Sequence, residues 1–215
     1  MKALAEHGYF VIAPNHQDSS RSMKGGFAIQ RPAAPFGNPG AWSDATYRDR
    51  ANDINALIQA IKTDPALSKS IDASRIAVAG HSLGGYTALG LAGGWPKWKQ
   101  PEIKAVLALS PYCSPYVEKG SLNTITVPVM YQGGTRDLGV TPFVSKKDGA
   151  YDKTTGPTYF VEFEKAGHFA WTDMNPQFQA SISTYSIAFL DKYLKGDPGA
   201  DLTRKRSDVA VLRSK

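Results

Sequence analysis

A single cysteine, Cys113, stands in 215 residues, so no intrachain disulfide can form and no thiolate cluster is available for a structural metal. Its small neighbours Ser110, Pro111 and Ser114 mark it as an ordinary free thiol. The four histidines, His7, His16, His81 and His168, show neither HExxH nor HxH spacing, so no zinc and no other metal cofactor is expected. Glycine pairs occur without the lysine of a phosphate-binding loop, which argues against a nucleotide cofactor. No apolar run approaches the roughly 20 residues that span a bilayer. Glu6 and His7 break "MKALAEHGYFVIAP", which therefore lacks a signal-peptide core. The charge is +6, from 25 Lys and Arg against 19 Asp and Glu, but the basic residues are mostly scattered among acidic ones. The only dense run is Arg204-Lys205-Arg206, followed by Arg213 and Lys215. Residues 201–215 thus read as a solvated basic tail, and no nucleic-acid partner is expected.

What is present is an alternation of short apolar runs with helical patterns, the arrangement of parallel strands joined by crossover helices. The chain length suits one α/β domain. Strands are expected at 9–13, 75–79, 105–109, 127–132 and 158–163. The second to fourth are continuously apolar, as central strands buried on both faces should be, and 158–163 alternates as a strand nearer an edge would. A helix is expected over about 44–62, where Tyr47, Ala51, Ile54, Ile58 and Ile61 share a stripe, with Ser43 as N-cap and Asp64-Pro65 as its stop. A second should begin after Ser82 and fade at Gly93-Gly94, and a third should cover about 177–195, ended by Gly196. The aperiodic segment 15–42 reads as a long loop, with Phe27, Phe36 and Trp42 expected to pack as a substrate wall.

Gly80-His81-Ser82-Leu83-Gly84 matches G-x-S-x-G in the required context, a strand before and a helix after. In that setting the serine occupies a strained turn, and the glycines keep side chains away from the adjoining strand and helix. The hydroxyl then projects at a helix start, and the backbone N–H of Leu83 is placed to hold an oxyanion. A serine hydroxyl becomes a nucleophile only when a base takes its proton and an acid orients that base. The only histidine after Ser82 is His168, in "EKAGHFAWTD", directly after the last expected strand. For the acid, Asp137 follows the strand 127–132, with Asp148 and Asp152 as rivals in the next loop. Asp173 is too close to His168 in sequence for more than an auxiliary role. His81, Phe169 and Trp171 are the candidates for the substrate pocket.

The segments "HGYFVIAPNH", "RIAVAGHSLGGYTAL", "IKAVLALSPY", "VPVMYQGGTRDLGVTP", "GHFAWTD" and "IAFLDKYLKGD" cover nearly the whole chain in order. Through them the chain resembles the α/β-hydrolase superfamily, and within it the dienelactone-hydrolase-like and platelet-activating-factor-acetylhydrolase-like esterases. The resemblance implies a three-layer α/β core with a mostly parallel sheet. It also implies Ser82 as nucleophile, Asp137 as acid, His168 as base and Leu83 N–H as half of the oxyanion hole. Serine stands here where dienelactone hydrolase itself uses cysteine, which favours ordinary ester hydrolysis.

The resemblance also implies a strand whose His-Gly loop gives the second oxyanion N–H, and this sequence has no counterpart of it. The expected fold is therefore an α/β-hydrolase core shortened at its N-terminus, with the loop after the first strand, His16 and Gln17, as substitute candidates for that donor. A strand edge left open there would favour a homodimer. The expected activity is that of a serine carboxylesterase on a small or short-chain ester, since the short connection 111–126 leaves no room for a large lid. The competing reading, drawn from the missing donor, is a hydrolase fold that binds a ligand or partner without turnover. Acyl transfer or amide cleavage on the same three residues is a further alternative. The compartment is the cytoplasm if Met1 is the true start.

Overall fold

The computed structural model describes residues 1–16 and 34–215, and the chain divides into two compact units, 1–73 and 74–215. The first unit holds helix α1 (Lys2–Glu6) and helix α2 (Arg48–Thr63). The stripe read from the sequence is the one α2 buries, through Ala51, Ile58 and Ile61. Its start lies later than expected. Tyr47, in the left-handed region at φ 59°, is the cap residue, while the Ser43 hydroxyl accepts from Ala45 N–H in the turn before the helix. Asp64 ends the helix, and its Oδ1 accepts the N–H groups of Ala66 and Leu67 at 2.8 and 3.0 Å. Trp42 is fully buried, its ring 5.3 Å from Phe36 and 5.6 Å from Tyr47. Phe27 lies outside the described residues.

The strand expected at 9–13 does not form. Tyr9 N–H bonds back to the Leu4 carbonyl, and Phe10 and Ile12 are exposed. Aromatic and β-branched side chains suit a pleat, but a strand exists only through the ladder of a partner, and none pairs with this segment among the described residues.

The second unit is built on one sheet in the order β1-β2-β3-β4-β5. The strands are β1 (Ile76–Ser82), β2 (Ile103–Pro111), β3 (Val129–Gly134), β4 (Thr158–Phe163) and β5 (Val209–Ser214). The first four pair in parallel, and β5 runs antiparallel to β4. The connections between strands carry α3 (Leu83–Leu89), α4 (Ser114–Lys119), α5 (Thr141–Ser145), α6 (Ala150–Lys153) and α7 (Gln179–Leu190). This is the mostly parallel α/β arrangement that the alternating pattern implied. No helix among the described residues is long and apolar enough to cross a membrane.

Two placements differ from the sequence reading. β1, expected to be central, lies at one end of the strand order and is half-buried along most of its length, whereas β2 and β3 are almost wholly buried. Its apolar composition alone did not distinguish a strand with two neighbours from a strand with one. The expected basic tail contains β5, which covers the edge of β4. There the Arg213 guanidinium lies over the rings of Tyr151 and Phe160, at 4.6 and 5.1 Å, so a residue that looked like a solvated charge packs its flat face on aromatics.

Candidate active site

Four parallel strands end on one side of the sheet, and each delivers a polar side chain there. Ser82 is the last residue of β1, Ser110 stands next to the end of β2, Asp137 follows β3, and His168 follows β4. This is the carboxyl edge at which open α/β sheets collect their reactive groups.

Ser82 occupies φ 55°, ψ −116°, a region that side chains rarely adopt, and α3 begins at the next residue. The sharp turn is possible because a Cβ at Gly80 would lie 2.2 Å from the backbone of Gly84. The crowding expected at Gly84 itself is absent, since a Cβ there meets nothing within 4 Å. The close approach falls instead on Gly85, outside the five-residue motif, where a Cβ would sit 2.6 Å from Pro111 Cβ at the end of β2. Glycine is needed where helix and strand touch, and at this turn they touch one residue later than the motif suggests. The backbone N–H of Leu83 occupies the first position of α3, adjacent to the hydroxyl.

His168 Nε2 lies 2.9 Å from Ser82 Oγ, and His168 Nδ1 lies 3.2 Å from Asp137 Oδ1. Serine, histidine and aspartate thus meet in the order of a nucleophile, its base and the group that orients the base. Asp148 and Asp152 engage each other, with Asp148 N–H donating to Asp152 Oδ2 at 2.9 Å. The approach of the acid turn to the histidine loop depends on Gly134, where a Cβ would lie 2.2 Å from Ala166 O. Arg136 N–H donates to that same carbonyl at 2.9 Å and closes the two loops together.

Asp137 is almost completely buried. Burial acts to raise its pKa, but hydrogen bonds from His168, Ser110 and Thr141 and the nearby imidazole outweigh it, and the carboxyl is held below its usual range. Two partners were missing from the sequence reading. The Ser110 hydroxyl donates to Asp137 Oδ2 and lies 2.9 Å from His168 Nδ1, while the Thr141 hydroxyl donates to Oδ2 at 3.3 Å. In the sequence Ser110 is only a small neighbour of Cys113. The only signal in the sequence was its place at the end of an apolar run expected to be a strand. Cys113 itself is buried, which pushes its pKa up to about 12 and leaves it an inert thiol.

The three pocket candidates gather around His168. His81 Nε2–H donates to the His168 carbonyl at 2.7 Å, so His81 ties the loop of His168 to the strand that carries Ser82. Burial lowers the His81 pKa, and the neutral ring keeps the donor that this bond needs. Trp171 stacks on His81 at 6.1 Å and donates its indole N–H to Gln132 Oε1 at 2.9 Å. Phe169 is 54% exposed, edge-on to the His168 ring, and Leu138 beside Asp137 is 77% exposed. His16 belongs to the first unit, where its Nδ1 is 2.7 Å from Asp53 Oδ2, and Gln17 lies outside the described residues.

The sequence is similar to several known proteins. A family model described as PETase, PET hydrolase-like, matches residues 42–202. Cutinase est1 of Thermobifida alba is 34% identical over 152 residues, covering 69% of this chain and 47% of that protein. Cutinase cut1 of Thermobifida fusca is 30% identical over 152 residues, covering 69% and 43%. Lipase 1 of Moraxella sp. strain TA144 is 24% identical over 155 residues, covering 71% and 44%. The chain spans about half the length of the curated relatives it matches.

Proposed function

The chain belongs to the PET hydrolase-like family, and from that premise we propose that it is a serine carboxylesterase that cleaves its substrate through an acyl-enzyme. The observation that carries the proposal is the continuous chain of contacts from Ser82 Oγ to His168 Nε2 at 2.9 Å and from His168 Nδ1 to Asp137 Oδ1 at 3.2 Å. His168 takes the proton of Ser82 as Oγ attacks the ester carbonyl, then returns it to the departing alkoxide. Asp137, kept ionised by its hydrogen bonds, stabilises the imidazolium formed in between. The backbone N–H of Leu83, at the start of α3, holds the oxyanion. Water activated by the same imidazole then releases the acid.

The proposed substrates are small or short-chain esters. The connection from β2 to β3 consists of α4 and one short turn, and both are pinned into the core by Tyr116, Val117 and Leu122. Such a connection cannot fold over the site as a lid, so it encloses no long apolar tunnel for an extended acyl chain. With 4-nitrophenyl esters, kcat/KM is expected to fall by at least about tenfold from butyrate to palmitate. Equal turnover of the two would contradict the chain-length reading and leave the esterase reading intact. The acyl-enzyme is tested by rapid mixing with 4-nitrophenyl acetate. A burst of nitrophenol stoichiometric with protein is expected, and it should vanish in Ser82→Ala. A linear release without any turnover above the buffer rate would contradict the proposal.

A further inference from the structure

Ser110 has three properties that do not belong to a structural serine at a strand end. It is completely buried, its backbone is held at φ 42°, and its hydroxyl touches two members of the catalytic group. A non-glycine residue in the left-handed region is strained and persists only where the surroundings hold it there. The position therefore invites glycine, yet a hydroxyl-bearing residue occupies it.

The hydrogen-bond arithmetic shows what the hydroxyl does. An ionised carboxylate only accepts, so the bond to Asp137 Oδ2 consumes the single proton of Ser110 Oγ. What Oγ presents to His168 Nδ1, 2.9 Å away, is a lone pair. Asp137 Oδ1, at 3.2 Å, presents another. Nδ1 thus faces two acceptors and no donor, and the imidazole must carry its proton there. In the neutral ring Nε2 is then left unprotonated, and that is the atom 2.9 Å from Ser82 Oγ. Of the two acceptors, the serine oxygen is the nearer. The carboxylate reaches the ring partly directly and partly through the hydroxyl that it orients.

We propose that Ser110 is a positioning residue of the esterase site, whose buried hydroxyl, polarised by Asp137 Oδ2, fixes the Nδ1–H tautomer and orientation of His168 at the cost of a strained backbone. The proposal rests on the reading of Ser82, His168 and Asp137 given above. Neighbouring contacts do not supply the same function. Thr141 Oγ1 donates to the carboxylate, and His81, whose ring centroid lies 4.8 Å from that of His168, spends its Nε2–H on the His168 backbone carbonyl and not on Nδ1.

The experiment compares Ser110→Ala, Ser110→Gly and Thr141→Ala with the parent protein, each first titrated with a fluorophosphonate to count reactive Ser82. Ser110→Ala removes the hydroxyl. Ser110→Gly removes it and also relieves the backbone at φ 42°, which guards against a variant that fails to fold. Both are expected to lower kcat for 4-nitrophenyl butyrate about 10- to 100-fold with KM within twofold of the parent. The downfield proton resonance of His168 Nδ1–H should shift or broaden in both. Thr141→Ala, which loses a donor to the carboxylate but none to the ring, should lower kcat while leaving that resonance in place. The inference is overturned if both Ser110 variants keep kcat within twofold of the parent with an unmoved resonance, or if KM rises while kcat holds. A parent protein that takes no fluorophosphonate label would instead overturn the esterase reading itself, so the two failures are distinguishable.

Discussion

At the scale of the residue, the site is a set of proton placements enforced by what surrounds each group. Asp137 must remain ionised in a buried position, and it does so because donors from three sides offset the burial. Asp137→Asn, which presents an amide where the ring needs an acceptor, is expected to lower kcat about 10³- to 10⁴-fold while leaving the fold intact by circular dichroism. His81 carries the clearest pH dependence. Its folded pKa lies below the ordinary histidine value of about 6.5, because burial penalises the charged ring. The unfolded chain therefore binds the proton more readily, so the contribution of His81 to stability is complete above about pH 6.5 and is lost as pH falls below it. His81→Asn, which keeps a donor for the His168 carbonyl, is expected to flatten the decline of melting temperature between about pH 6.5 and 5 relative to the parent. An identical decline in both proteins would remove His81 from this role.

At the scale of the element, Ser82, Asp137 and His168 are brought together by close approaches between a few strand ends and loops. Gly134 is the sharpest of these, since a Cβ would lie 2.2 Å from Ala166 O, a backbone atom that cannot swing aside. Gly134→Ala is expected to push the acid turn away from the histidine loop, destabilising the protein by about 1–3 kcal/mol and lowering kcat by more than tenfold. Chemical denaturation and steady-state kinetics measure the two effects. Much of this scale was legible beforehand. The motif around Ser82, the single histidine downstream of it and the aspartate after β3 each follow from residue type and chain order. Ser110 was not legible, because its role depends on β2 lying beside β1 and on a backbone angle that no residue pattern signals. The displaced glycine contact has the same origin, since Gly85 matters only through Pro111 on the neighbouring strand.

At the scale of the whole molecule, the alternating apolar runs foretold a mostly parallel sheet, while the two ends of the strand order were misread. β1 looks like an interior strand by composition, and β5 looks like a tail because Arg213, Lys215 and the basic run before it draw attention from the short apolar run Val209 to Leu212. Pairing partners, which lie far away in sequence, decide both cases. β5 is the cover of the β4 edge, so its removal is testable. Burial of Val209 alone is worth about 1.5–3 kcal/mol, and a chain ended at Asp208 is expected to melt at least about 4 °C lower and to aggregate more readily. An unchanged melting temperature would show that β5 contributes only its charge.

The central claim is that Ser82 is a nucleophile activated by His168. Intact-mass spectrometry after exposure to a fluorophosphonate tests it most directly, with the parent, Ser82→Ala and His168→Ala compared at neutral pH. One adduct per chain is predicted for the parent, mapped to Ser82 by peptide sequencing, with none on Ser82→Ala and a rate at least about 10³-fold slower on His168→Ala. An unlabelled parent, or an adduct that persists in Ser82→Ala, would contradict it.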